Sequence, residues 1–210
     1  MFIRGTRIQT TPDKLDEAIE TFRKQVLPSA RSVSGFFGGV LLADRKTGSC
    51  MEITYWETAE ALSASEQVGV QTRTPAATGI PRTEILEVET YEIVILDRDQ
   101  APKPGELVRV NIINGDPEKV DTVIVFVRDK VLPVLKVLKG YRAIVMGVDR
   151  QSGRSTVSTL WDTLADLEAS DRNVTELRRQ TAHAAGADVV QTEIFETRVF
   201  DFTPATPSEG

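Results

Sequence analysis

Asp44-Arg45-Lys46-Thr47-Gly48, followed by Thr54-Tyr55-Trp56-Glu57-Thr58, is written a second time as Asp149-Arg150-Gln151-Ser152-Gly153, followed by Thr159-Leu160-Trp161-Asp162-Thr163. Each copy reads as a turn into a strand that ends on Trp, with Thr placed to cap the helix behind it. Carried back at the 105-residue offset from Trp56 to Trp161, the match runs without a gap from Arg4/Arg109 to Glu66/Asp171. Of those 63 aligned positions 21 are identical, among them Pro12/Pro117, Val26-Leu27-Pro28/Val131-Leu132-Pro133 and Gly35/Gly140. Agreement at that level marks an internal duplication, two units of roughly a hundred residues each.

Within the first unit, residues 2–9 read as a strand, and Thr11 is placed to cap a helix entered at Pro12. Leu15, Ala18, Ile19, Phe22 and Val26 put one apolar stripe on that helix, with Pro28 near its end. Residues 36–43 and 49–57 form a hairpin across the Asp44 turn. A second helix starts at Thr58 and is expected to fade near Gly69 and the prolines at 75 and 81, before a long last strand at 84–96. The second unit repeats the order: strand 107–114, a helix capped by Asp116, hairpin strands 141–149 and 154–162, helix 163–185 and strand 189–202. Matching Thr83-Glu84-Ile85 to Thr192-Glu193-Ile194 moves the offset to 109 and puts four added residues around 171–176. The boundaries are therefore 1–96 and 106–202, a polar linker at 97–105 with two prolines, and a disordered tail at 203–210.

The order β-α-β-β-α-β is the ferredoxin-like arrangement, an antiparallel sheet with both helices on one face. Val40-Leu41-Leu42-Ala43 and 144–148 are apolar on both sides, so the expected cover for the bare face is the other unit's sheet. The fold class is α+β: two ferredoxin-like repeats whose sheets pack into an intrachain dimeric α/β barrel, a pseudo-dimer that leaves a further homodimer open.

A net charge of −6 and a pI near 5.0 argue against nucleic-acid or anionic-membrane partners, which call for a basic patch. The start, Met1-Phe2-Ile3-Arg4, lacks a signal peptide's apolar core, and no apolar run is long enough to span a bilayer. The single Cys50 offers no metal-ligand spacing and suits a cytoplasmic, reducing setting.

With Pro12, Leu27-Pro28, Gly35-Phe36 and the ending Trp56-Glu57-Thr58-Ala59-Glu60-Ala61-Leu62, the first unit resembles the antibiotic biosynthesis monooxygenase family of the dimeric α/β-barrel superfamily. The second resembles it through Trp161-Asp162-Thr163-Leu164-Ala165-Asp166-Leu167. The resemblance implies cofactor-independent oxidation of a small aromatic or polyketide-type metabolite. The family's quinone-forming members use the Trp at this strand end, an Asn four residues before it and a Tyr six after. Here the Asn position holds Glu52 and Val157, and the Tyr position Leu62 and Leu167. The family also includes haem-degrading enzymes with an axial His in the second helix; His183, the only His, falls there, with Thr74 as its counterpart. Their Trp position holds Ser65 and Ser170, and their strand-one Asn position holds Arg7 and Ile112.

The catalytic candidates are Trp56, Arg7 and Glu52, with Arg7 expected on the helix-facing side where the family's pocket lies. The ligand-binding candidates in the second unit are Trp161, Arg109, Asn111 and His183. Val108, Val110 and Ile112 are read as the helix-facing side of their strand, which turns Arg109 and Asn111, and with them Arg4, toward the barrel interior. A buried guanidinium there needs a partner such as Glu52, Glu87, Glu193 or Glu196. Each candidate has a plainer reading: the two Trp as core anchors, the Arg as structural ion pairs, and His183 as a surface residue at a helix end. Two functions stay open, an oxygenase without cofactor or metal and a non-catalytic small-molecule-binding or stress-associated protein, with haem degradation third.

Overall fold

The computed structural model describes residues 1–98, 100–187 and 190–202, the side chain of Val190 excepted. The tail at 203–210 lies outside the described residues. Eight strands form one antiparallel hydrogen-bonded ring in the order β1-β3-β2-β8-β5-β7-β6-β4, which closes on itself. They are β1 (Phe2–Gln9), β2 (Phe36–Asp44), β3 (Ser49–Trp56), β4 (Glu84–Arg98), β5 (Leu107–Asn114), β6 (Tyr141–Val148), β7 (Arg154–Trp161) and β8 (Val190–Phe202). The chain divides into two compact units, one holding residues 1–89 with the chain from Arg198 onward, the other holding Thr90–Thr197. Strands β4 and β8 each contribute to both.

In the first unit, α1 (Leu15–Thr21) and α2 (Leu27–Arg31) flank one wide turn, Phe22–Val26, where the carbonyl of Phe22 accepts from the N–H of Leu27 five residues on. The second unit repeats this with α4 (Val120–Phe126), Val127–Val131 and α5 (Leu132–Lys136). Proline explains it: Pro28 and Pro133 have no N–H to give the carbonyl one turn back, and their rings crowd it. Widening the preceding turn relieves the clash and the helix carries on. The helix thus passes Pro28 and ends at Arg31, with Pro28 near its end as expected. Leu15, Ile19, Phe22 and Leu27 pack on Leu41 and Ala43 of β2, and Val123, Ile124 and Val127 pack on Ile144 and Met146 of β6.

Helix α3 (Ala59–Thr78) runs through both Gly69 and Pro75, longer than its sequence suggests. Its match, α6 (Leu164–Ala184), keeps the 105-residue register through Arg73/Arg178, because Arg73 meets Glu66 as Arg178 meets Asp171. The added residues of the second unit therefore lie beyond Arg178 and not at 171–176, and the helical counterpart of His183 is Thr78. Thr58 and Thr163 cap these helices as expected, accepting from Ala61 N and Asp166 N at 3.1 Å. Asp116 caps its short turn at Glu118 N, 2.9 Å, whereas Thr11 makes no such bond to the backbone.

The hairpin turn is held by Asp44, whose carbonyl accepts from Gly48 N and whose carboxylate accepts from Lys46 N, both at 2.9 Å; Asp149 does the same for Gly153 and Gln151. Gly48 has φ +76°, and a Cβ there would lie 2.2 Å from the Thr10 carbonyl oxygen. Gly48→Ala is expected to lower stability by about 2–3 kcal/mol, read as a lower urea midpoint at unchanged slope.

Candidate functional site

β1 and β3 pair without a bulge, Arg4 opposite Thr54, Thr6 opposite Glu52 and Phe2 opposite Trp56. These side chains share one face, and Arg4 shows which: its Nη1 donates to Ser65 Oγ at 2.6 Å and its Nη2 to Leu62 O at 3.0 Å, both on α3. Arg109 repeats this on α6, donating to Ser170 Oγ and Leu167 O at 2.9 Å. The salt-bridge partners are Glu66 at 2.6 Å and Asp171 at 2.9 Å. Arg4, Arg109 and Asn111 therefore face the helices, the reverse of the expectation above, and the two arginines pair with the helix carboxylates Glu66 and Asp171, not with Glu52, Glu87, Glu193 or Glu196. Arg7, three residues past Arg4 on an unbulged strand, lies on the opposite face and does not line this cavity.

Between that sheet face and the helices of the first unit is a cavity lined by Arg4, Thr6, Glu52, Trp56, Gly69 and Arg73, among others. Glu52 is 7 % exposed. Among the described residues it makes no hydrogen bond or ion pair. Burial pushes its carboxyl up to about 8, with the Arg73 guanidinium pulling the other way. Burial likewise lowers the pKa of Arg4, Glu66 opposing and Arg73 assisting. Arg73 gives Nη2 to Glu66 at 3.0 Å, and among the described residues its Nε and Nη1 are unengaged. The Nε of Arg4 is buried without a hydrogen-bond partner. Gly69 makes room for both cations, since a Cβ would lie 3.0 Å from Arg73 Nη1 and 3.5 Å from Arg4 Nη1. Two guanidiniums over one half-exposed carboxylate, beside a carboxyl that holds its proton to about pH 8, form a pocket suited to a developing anion.

Trp56 lines the same cavity, but its indole N–H donates to Thr54 Oγ1 at 3.0 Å, and Phe36 meets its ring edge-on at 5.5 Å. Trp161 repeats the bond to Thr159 at 3.0 Å and stacks edge-on with Tyr141 at 5.9 Å. Both indoles are core anchors with committed donors. The matching cavity of the second unit includes Arg109, Asn111 and Val157 in its wall, without Trp161 or His183. His183 is exposed in the last turn of α6 and lines neither of these two cavities. Sequence reasoning missed Arg73; the Arg73/Arg178 identity at the 105-residue register was the signal for it.

Among the described residues no helix is long and apolar enough to cross a membrane, and no three His, Cys, Asp or Glu are grouped to hold a metal ion. The profile of the family described as antibiotic biosynthesis monooxygenase matches residues 1–71. The chain is similar to two uncharacterized proteins of Mycobacterium tuberculosis. It is 30 % identical to Rv2557 over 93 % of this chain and 87 % of that one, and 31 % identical to Rv2558 over 95 % and 84 %. The solved structure of an anthrone oxidase-like protein superposes with a TM-score of 0.71 at 13 % identity, covering 95 % of this chain and 92 % of that one. A heme-degrading enzyme of Listeria monocytogenes superposes with a TM-score of 0.52 at 9 % identity, covering 93 % and 99 %. At such identities the likeness is one of fold.

Proposed function

The chain belongs to the antibiotic biosynthesis monooxygenase family as a tandem duplication, and from that premise we propose that its first half oxidises a small phenolic aromatic of polyketide type with molecular oxygen, without metal or flavin. Glu52 carries the reading: a buried carboxyl with no hydrogen bond among the described residues, set in a cavity beside Arg73 and Arg4. Ionised, it accepts a proton from the substrate. The negative charge left on the substrate oxygen meets the unengaged donors of Arg73. Part of that charge reaches the ring carbon, which reacts with oxygen; its CH₂ becomes C=O, one oxygen atom is kept and the other leaves as water. Arg73 thus supplies the donor that the family's Asn and Tyr positions, here Glu52 and Leu62, do not. The setting proposed is cytoplasmic, where Cys50 stays a thiol.

The second half lacks the acid, with Val157 in its place, and this favours the second reading, ligand binding without chemistry, for that half. Haem degradation gains nothing from the geometry, because the only His is exposed and outside both cavities.

The test is oxygen uptake with a hydroxyanthrone-type compound as a function of pH. kcat/KM should rise with pH and level off above about 8, as Glu52 ionises. Arg73→Met removes the cation that eases this ionisation, so the rise should move to higher pH and the plateau drop by about 100-fold. Uptake no faster than in buffer, from folded protein, would reject the oxygenase in favour of the binding reading.

A further inference from the structure

The second half holds a cavity at the place of the first half's candidate site, with a different wall. At the 105-residue register Glu52 becomes Val157, Gly69 becomes Val174, Thr72 becomes Leu177 and Ala30 becomes Leu135. Ile113 and Val131 complete an aliphatic lining. The polar groups on the wall are consumed by the protein. Arg109 is held by Ser170, Leu167 O and Asp171. Asn111 donates to Val157 O at 3.2 Å and accepts from Thr192 at 3.0 Å. Thr159 accepts from the Trp161 indole, and Thr181 donates to Leu177 O at 2.7 Å. Arg178, unlike Arg73, closes both Nη atoms on Asp171 at 2.9 Å and adds a bond to Thr175.

A void with aliphatic walls and engaged polar groups gives water little to hold, and a solute that needs hydrogen bonds loses them on entry. An apolar molecule loses nothing and gains contact area. We propose that this second cavity is a separate, non-catalytic binding site for a neutral, apolar molecule of single-ring size. The duplication has then produced two chemically distinct pockets in one chain, one built for a proton transfer and one for a hydrocarbon surface.

Fluorine NMR of fluorobenzene with the full chain tests this. Saturable line broadening is expected with native protein. It should be abolished in Val174→Phe, weakened several-fold in the milder Val157→Leu, and kept in Ala30→Phe, which fills the first cavity instead. 4-Fluorobenzoate should bind at least tenfold more weakly. No saturable broadening with native protein would overturn the site. So would its loss in Ala30→Phe together with its survival in Val157→Leu, and equal or tighter binding of the acid would overturn the ligand class. Should Val174→Phe fail to fold by circular dichroism, Val157→Leu decides.

Discussion

Glu52→Gln is expected to abolish oxygen uptake, a loss of at least about 100-fold in kcat/KM, and at the same time to make the protein more stable at alkaline pH. Both effects come from one carboxyl. In the unfolded chain it ionises at its ordinary value of 4.5, and in the folded chain at about 8. Between these two values the folded state holds a proton that the unfolded state has lost, so stability falls as pH rises through that window. Above about pH 8 both states are ionised and the full cost is present, about 5 kcal/mol. Glutamine has nearly the same shape and no charge to desolvate. The variant should match the parent near pH 4 and melt on the order of 10 °C higher near pH 9. Thermal melts at the two pH values measure it. A parent and variant that melt together at pH 9 would mean that Glu52 reaches solvent or a partner, and the proposed base would go with it.

The architecture was legible because duplication doubles each signal. Turn, Trp and cap stand at the same offset in both halves, and Pro28 and Pro133 mark the same wide turn. The facing of β1 and β5 was not legible, for a physical reason. A strand buried on both sides carries apolar residues on both, so alternation cannot say which side meets the helices. Val108, Val110 and Ile112 look like a helix-facing row, yet the guanidinium beside them reaches Ser170 and Leu167 O on α6. The tie spans some sixty residues, out of reach of any local pattern. Gly69 misled in the same way. Read as a helix breaker, it is a gap in α3 that admits two arginines, and in the second half, with Val174 there, Arg178 closes both Nη atoms on Asp171. Glu52 was picked out at the family's Asn position, but its lack of a partner and its raised affinity for a proton are properties of the enclosing cavity.

The two tryptophans separate structure from chemistry, and Trp161→Ala is expected to cost about 3–5 kcal/mol of stability, among the largest losses from a single change in this chain. Trp161 is fully buried, packs on Tyr141, and gives its N–H to Thr159, so alanine removes a large apolar surface and leaves a hydroxyl without its donor. Urea unfolding should show a lower midpoint, and a loss below about 1 kcal/mol would contradict the anchoring role. Trp56 occupies the equivalent corner with the same bond to Thr54, but its ring also walls the candidate site. Trp56→Phe keeps a ring there and removes only a donor that no substrate could use. It should therefore leave oxygen uptake within about tenfold of the parent, the range expected for lost ring contact without loss of a charge-stabilising group. Uptake abolished in Trp56→Phe at an unchanged melting temperature would instead mean that the indole N–H leaves Thr54 for the substrate during turnover. Trp56 would then join Glu52 and Arg73 in the chemistry, and Thr54 would become the group whose removal should mimic the defect.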